Sequence, residues 1–328
     1  MGGDLAPGPI VDGAVAAARH LRSEVRLVGP AATLRTELAR HADAGRLSIV
    51  AVDAPEVIGM GESPGVALRR KPGASIRIAV REVSSRRAGA VVSAGSTGAT
   101  VMASYTELGL LPGVDRPALA TPIPTRAGPA VLLDAGANAE CRPSHLLQFA
   151  VMGSVFAQAA LGIERPRVGL LSIGEEETKG NELTRDAHRL LKDAPVQFIG
   201  NVEARDLYTG TADVIVCDGF TGNVALKVSE GLVDMVEALL ETELSSTWPT
   251  RIGWLMSLRA FRRFRARVDY SEYGGALLLG VGGVVIVGHG RSSAKAVRNA
   301  IVLADRVSRE RLLQRLTHGI AGLAVTPS

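Results

Sequence analysis

Ala212 to Lys227 reads ADVIVCDGFTGNVALK, and the fold class follows from how that stretch is parsed. Val214-Ile215-Val216-Cys217 is a short, β-branched apolar run with no polar alternation, as expected of a strand buried on both faces of a parallel sheet. Asp218-Gly219 ends it, and Thr221-Gly222-Asn223 opens a helical pattern that continues through Val233. A strand that feeds a glycine turn and then a helix is how α/β proteins build anion sites. Glycine lets backbone approach a ligand, and the helix start offers unpaired N–H groups with a partial positive charge.

The device recurs. Val91 to Ala99 (VVSAGSTGA) overlays Ile215 to Asn223 with Gly95 on Gly219, Thr97 on Thr221 and Gly98 on Gly222. Val284-Val285-Ile286-Val287 runs into Gly288-His289-Gly290, and Val168 to Gly174 runs into Glu175 to Glu182. Asp134-Ala135-Gly136-Ala137-Asn138 is a fifth polar turn behind an apolar run. Each carries a polar side chain past its glycine. Together they predict a single cleft at the C-terminal ends of the strands.

The surroundings fit an α/β body. The 328 residues are 46% hydrophobic and only 4% aromatic, which suits helices packed closely on a sheet. Spacing predicts strands at 25–28, 47–50, 118–121, 131–133, 168–173, 196–199 and 213–217, and helices at 9–21, 31–42, 75–86 and 143–161, with a closing helix at 292–316. A three-layer α/β/α fold with a mostly parallel sheet is expected, as one compact catalytic unit over 1–328 with two lobes and no linker.

Composition also excludes. A formal net charge of +4, without a basic, aromatic-laced stripe running through the whole chain, argues against a nucleic-acid partner. Cys141 and Cys217 show no metal spacing, so neither a structural metal nor a cofactor is expected, and two isolated thiols fit a reducing cytoplasm. The apolar run 276–288 is too short to span a bilayer. No hydrolase elbow, Walker A loop or GxGxxG motif is present. What remains is a polar set that binds and polarises a phosphate or a carbonyl: Asp4, Ser96, Thr97, Asn138, Lys179, Asn181, Asp218, Asn223 and His289. None is an obvious covalent nucleophile.

Six stretches then carry a resemblance: MGGDLAP at 1–7, SAGSTGA at 93–99, LPGVDRPAL at 111–119, IGEEETKGNEL at 173–183, DGFTGNVALK at 218–227 and DYSEYGGA at 269–276. In this order they resemble the motifs of bacterial phosphate acyltransferases of the PlsX type. The resemblance implies transfer of a fatty acyl group from acyl carrier protein to inorganic phosphate, giving acyl phosphate for phospholipid synthesis by a membrane acyltransferase downstream. It implies a fold like that of phosphate acetyltransferases and of isocitrate and isopropylmalate dehydrogenases. The chain departs from the family at Ser96, where Asn is usual, and at Arg291. The chain also lacks the short apolar strand that the family has before its MGGD turn. That turn needs a strand ahead of it, so such a strand is expected upstream of Met1.

Direct attack of phosphate on a thioester sets the expected roles. The Gly95–Ser96–Thr97–Gly98 turn and Lys179 hold phosphate, with Gly180 and Asn181 nearby. Asn223 and the Gly219–Gly222 backbone meet the carbonyl or oxyanion. His289 is an acid, base or hydrogen-bond donor, and Asn138 and Asp218 line the site. The rival classes are a phosphate acetyl- or butyryltransferase using acyl-coenzyme A, a decarboxylating dehydrogenase, for which Asp213, Asp218 and Asp234 do not make a persuasive metal cluster, and a non-enzymatic membrane-surface scaffold.

Residues 236–268 are expected to project as a helical hairpin. Between Glu243 and Asp269 no acid meets Arg251, Arg259, Arg262, Arg263, Arg265 and Arg267, and both tryptophans, Trp248 and Trp254, are here. Such a hairpin suits a homodimer contact, anionic lipid or the acidic carrier protein. The expected location is cytoplasmic, with peripheral attachment to the membrane.

Overall fold

The computed structural model describes residues 1–268 and 274–323, apart from the side chains of 262 and 265–268. The chain opens with α1 (Gly8–Ala18), β1 (Val25–Gly29), α2 (Ala31–Leu38) and β2 (Ile49–Asp53), and β1 and β2 form a small parallel sheet. Then come α3 (Pro64–Arg70), α4 (Ser75–Ser84), β3 (Ala90–Ser93), α5 (Thr97–Leu108), β4 (Ala118–Thr125), β5 (Gly128–Leu133) and α6 (Pro143–Phe156). The second half holds β6 (Arg167–Leu171), α7 (Glu182–Lys192), β7 (Gln197–Val202), β8 (Val214–Val216), α8 (Gly219–Ser245), α9 (Trp248–Val268), β9 (Ala276–Leu279), β10 (Val284–Val287), α10 (Ala294–Arg309) and α11 (Leu312–Leu323).

The main sheet has eight strands in the order β3-β10-β9-β4-β5-β8-β6-β7. Successive strand residues face opposite ways, and both faces are covered. Val131, Leu133, Val168, Leu170, Val214, Val216 and Ile286 pack under α6, α7, α10 and α11, with Phe149, Met152 and Phe156 of α6 fully buried there. Leu119, Val285 and Val287 pack instead with α3, α4 and α5, and Leu132 and Ile215 with Ala225 and Leu226 of α8. This is the expected three-layer arrangement. Helix Pro143–Leu161 has the length and hydropathy of a membrane span, but it is the central helix of this core.

Sheet polarity divides the strand ends that the expected cleft draws on. β3 pairs in parallel with β10, and β5, β8, β6 and β7 pair in parallel with one another. Between these blocks, β9 and β4 pair antiparallel with both neighbours, so the blocks run in opposite directions. The turns after β3 and β10 therefore form one group, and those after β5, β8 and β6 another.

Two further expectations change. β4 continues through Pro122 and Pro124, because by then β9 has ended and only β5 flanks it, so the missing N–H groups cost no ladder bond. The closing helix breaks at Arg311, whose φ of 52° stops it and starts α11. A cavity of about 510 Å³ separates β1 from β3, with Ile10 and Ala14 on one side and Ile76 and Ala79 on the other. Neither facing strand edge is paired among the described residues.

Candidate active site

Asp134 organises the start of α8. It is fully buried, and its Oδ1 accepts from the amides of Leu119, Gly136 and Ala137 at 3.0, 3.0 and 2.9 Å. Its Oδ2 accepts from the amide and side chain of Asn138, both at 2.8 Å. Burial pushes the carboxyl above its ordinary range, and these N–H donors pull it back. Asn138 is thereby a structural clamp, its amide also donating to Pro117 O at 2.7 Å. Gly136 lies against Asn223, whose side chain is exposed on the cleft side of α8.

Several of the expected site residues make internal contacts. Ser96, Asn181 and Asp218 are N-caps, accepting from the amides of Ala99, Thr184 and Thr221. Helix starts favour these residue types for that reason, so the polar residue past each glycine is explained locally. Gly219 N donates to Asn138 O at 2.8 Å and Gly222 N to Asp218 O at 3.0 Å, so neither is an oxyanion donor here. The glycines serve close packing instead. A Cβ at Gly219 would meet Asn138 O and Asp134 Oδ2 at 2.5 and 2.7 Å.

The loop after β6 is pinned through its acids. Glu175 meets Arg205 at 3.2 Å, Glu176 O accepts from Asn201, and Glu177 pairs with Lys192 at 2.5 Å. Lys179 is exposed on this loop, with its stem against Gly174. Gly180 has φ +96° and fits closely over Ser172, whose Oγ is buried without a partner among the described residues. No described contact joins Lys179 or Asn181 to the Gly95–Gly98 turn, which lies in the other group.

In that other group, Gly2 runs against Gly95, Gly3 against Ala94 and Gly290, and Asp4 N donates to Gly290 O at 2.8 Å. Thr97 and Gly98 open α5 beside them, and Gly98 packs on Pro64. A pair that sequence reasoning missed joins the groups. Lys227 Nζ, on α8, is 2.9 Å from His289 Nε2 and 2.7 Å from Glu230 Oε2. An ammonium only donates, so Nε2 carries the lone pair, and the 3.4 Å approach of the Arg291 amide to Nδ1 is the contact that yields. That nitrogen of His289 is therefore not a free base. Spacing held the clue: Lys227 is four residues past Asn223, on the same helix face.

Neither cysteine is poised to attack. Burial pushes the Cys141 thiol up to about 11 and raises the fully buried Cys217 thiol well above its ordinary value. Asp213 and Asp218 lie before and after β8, and Asp213 is bound by Arg167 at 2.9 Å, so they do not converge on one site. The DYSEY part of the last motif lies outside the described residues. Gly274 and Gly275, with φ +84° and +124°, are packed on Asn299–Ala300 and Val287.

Fold and site define an α/β enzyme class with a cleft between two groups of polar turns. A phosphotransacetylase from Streptococcus pyogenes has the same fold, with a TM-score of 0.60 over 92% of each chain at 16% identity. A 4-hydroxythreonine-4-phosphate dehydrogenase from Klebsiella pneumoniae aligns at 0.52 over 92% of this chain and 95% of its own, at 14% identity. In sequence, the family described as "Fatty acid synthesis protein" matches residues 1–315. The phosphate acyltransferase of Pelotomaculum thermopropionicum is 51% identical over 325 residues, covering 99% of this chain and 94% of its own. That of Geobacter sulfurreducens is 48% identical over 316 residues, covering 96% and 91%. The chain belongs to this family of fatty acid synthesis proteins, whose relatives are phosphate acyltransferases.

Proposed function

We propose that the protein transfers a fatty acyl group from acyl carrier protein to inorganic phosphate, supplying acyl phosphate for phospholipid synthesis. The reading is carried by family membership across nearly the whole chain, with relatives of about half-identical sequence bearing that activity name. The site's chemistry supports it. Both thiols are buried or raised, and the turn residues Ser96 and Asp218 are spent as caps, so direct attack by a bound anion suits the cleft better than a covalent intermediate.

In the step, an oxygen of hydrogen phosphate forms a C–O bond to the thioester carbonyl carbon. The C–S bond breaks, and the phosphate's proton ends on the departing thiolate, giving acyl phosphate and carrier thiol. Thiols are acidic enough to leave with little help. Holding the two reactants in line contributes on the order of 7 kcal/mol at best. Asn223, exposed beside Gly136, is assigned to the developing oxyanion, and the first turn of α5 at Thr97–Gly98 to the phosphate. Lys179, on the loop after β6, is assigned to add positive charge near the phosphate.

Residues 236–268 form the projecting part of one catalytic unit, a hairpin that serves a second copy of the chain or a membrane surface. Trp248, Leu255 and Met256 are 74%, 68% and 83% exposed, next to Arg251 and Arg259, which suits an anionic lipid interface. A cytoplasmic enzyme resting peripherally on the membrane, close to the acyltransferase that consumes its product, follows from that reading.

The test is a long-chain acyl carrier protein thioester mixed with phosphate and the enzyme, with acyl phosphate trapped by hydroxylamine. Product that requires both substrates supports the reading. Turnover with acetyl-coenzyme A alone, or reduction of NAD, overturns it in favour of an acetyltransferase or a dehydrogenase.

A further inference from the structure

The proposed reaction gathers negative charge. Phosphate brings about two units near neutral pH, and as the C–O bond forms one of them moves from the attacking oxygen onto the carbonyl oxygen. A site that speeds this step needs positive charge that is already in place. Fixed position matters, because a side chain that must be ordered in each turnover gives back part of its gain as entropy.

The cations near the two groups of turns differ in how they are held. Lys71 is taken by Glu62 and by Val57 O. Lys179 is exposed, with its stem against Gly174 of its own loop. Lys227 is held from two sides, by Glu230 on its own helix and by His289 across the cleft. These two contacts take two of its three N–H bonds, and the side chain remains 49% exposed, so the third can reach a ligand. Glu230 is mostly covered, at 18%, and His289 is 34% exposed. The ammonium therefore sits at the junction of the two groups, one helical turn from Asn223 and beside the Gly288–Gly290 turn that touches Asp4 and Gly3.

We propose that Lys227 is the phosphate-binding cation of this site, with Glu230 and His289 as positioning residues that aim its ammonium. The proposal deepens the acyltransferase reading and rests on it for the reaction, though not for the binding of phosphate. It also reassigns His289. Its Nε2 lone pair faces Lys227, so it aligns a cation and does not move a proton at that atom. Glu230 anchors the ammonium from its own helix, and His289 draws it towards the turn of the other group.

The test uses Lys227→Met and Lys227→Gln in the full chain. Lys227 is half-exposed, so neither change opens a hole in the core, and unchanged melting temperatures without ligand check this. In steady state, both variants are expected to lose 10²- to 10³-fold in kcat/KM for phosphate, the scale of a lost transition-state contact. The KM for the acyl thioester is expected to stay within about twofold, and Lys227→Arg to recover part of the loss. His289→Gln is expected to raise the phosphate KM by a smaller factor. A purely structural lysine would shift both KM values alike and lower the melting temperature.

A second readout does not need turnover. Inorganic phosphate is expected to raise the melting temperature of the wild type, and this shift to vanish in Lys227→Met. An unchanged phosphate KM, or an undiminished phosphate-induced shift, in a folded Lys227→Met protein overturns the proposal. If the wild type makes no acyl phosphate, the acyltransferase reading fails, and the thermal shift alone still decides whether Lys227 binds phosphate.

Discussion

Gly222 lies directly under the carbonyl oxygen of Asp134, so closely that a Cβ there would collide with it, and the same Cβ would meet Cys217 Sγ at 2.9 Å. Both obstacles are buried, and one is backbone. Gly222→Ala must therefore push α8 away from the β5 turn that carries Asp134. Overpacking of this kind costs typically 1–3 kcal/mol, and backbone that cannot yield puts this case at or above the top of that range. The expected outcome is a variant about 3 kcal/mol less stable in urea melts, with Asn223 displaced and turnover lost. A Gly222→Ala protein of unchanged stability would mean that the two turns do not pack as described.

That contact marks the line between what the sequence displays and what it hides. The strand–turn–helix units were legible because β-branched runs followed by glycine and a capping residue are local signals, and β8–α8, β3–α5, β6–α7 and β10–α10 all form. The same local pattern has a second, structural cause. Ser96, Asn181 and Asp218 cap helices, so a polar residue past each glycine is also what the helix starts require. The reversal of sheet direction was not legible, because it depends on how β9 inserts between β10 and β4, strands far apart in the chain. Nor was the meeting of Lys227 with His289, across 62 positions, visible to any local reading.

Asn223 is the best-placed neutral donor at the start of α8, since the amides of Gly219, Thr221 and Gly222 are already satisfied. Losing one oxyanion donor typically costs ~10²-fold or more in turnover. Asn223→Ala is expected to show that loss in kcat while still binding the acyl carrier protein. Full turnover with weakened carrier binding would make Asn223 a docking residue.

Acid should destabilise the fold in a defined window. Burial alone would raise the Glu107 carboxyl, but Arg81 and Arg77, at 3.0 and 2.6 Å, outweigh it and hold it below its ordinary range. Arg87 does the same for Glu82, and Arg167 for Asp213 against the opposing effect of burial. A carboxyl lowered in the folded state stabilises above its unfolded pKa, and that contribution is lost as pH falls through the folded value. The melting temperature is expected to be flat down to about pH 5 and to fall below about pH 4. Glu107→Gln should lower the plateau and shallow the fall. An equally steep fall in that variant would remove Glu107 from the explanation.

The cavity between β1 and β3 has the geometry of a strand position. Both facing edges are unpaired among the described residues, apolar side chains of α1 and α4 cover it, and Met1 and Gly2 lie at the end where β1 and β3 finish. A strand leading into Met1 would run parallel to both neighbours and be buried on both faces. Joining five apolar, β-branched residues ahead of Met1 is expected to raise the melting temperature by several degrees. The same extension with a central proline, which cannot complete the ladder, should not. Equal melting temperatures for the two extensions would show that the cavity does not accept a strand.

The hairpin of α8 and α9 gives the last prediction, and the packing changes which residues should be tested. Trp254 packs on Phe261, with ring centroids 4.4 Å apart and planes tilted by 50°, so it braces α9. Trp248, Ile252, Leu255 and Met256 are the large apolar side chains that face outward near the bend, with Arg251 and Arg259 exposed beside them. Each arginine near an anionic surface adds roughly 1 kcal/mol, and the aromatic and aliphatic groups add burial at headgroup level. Changing Trp248, Leu255 and Met256 together to serine is expected to release the protein from anionic vesicles in flotation assays while leaving turnover of soluble substrates unchanged. Changing Trp254 instead should loosen the hairpin and lower its protection in hydrogen exchange. Binding should also weaken steeply with salt, because the arginine contribution is screened beyond about 10 Å at 0.1 M. A wild-type protein that ignores anionic vesicles at low salt but changes oligomeric state in the triple variant would assign this surface to a second copy of the chain.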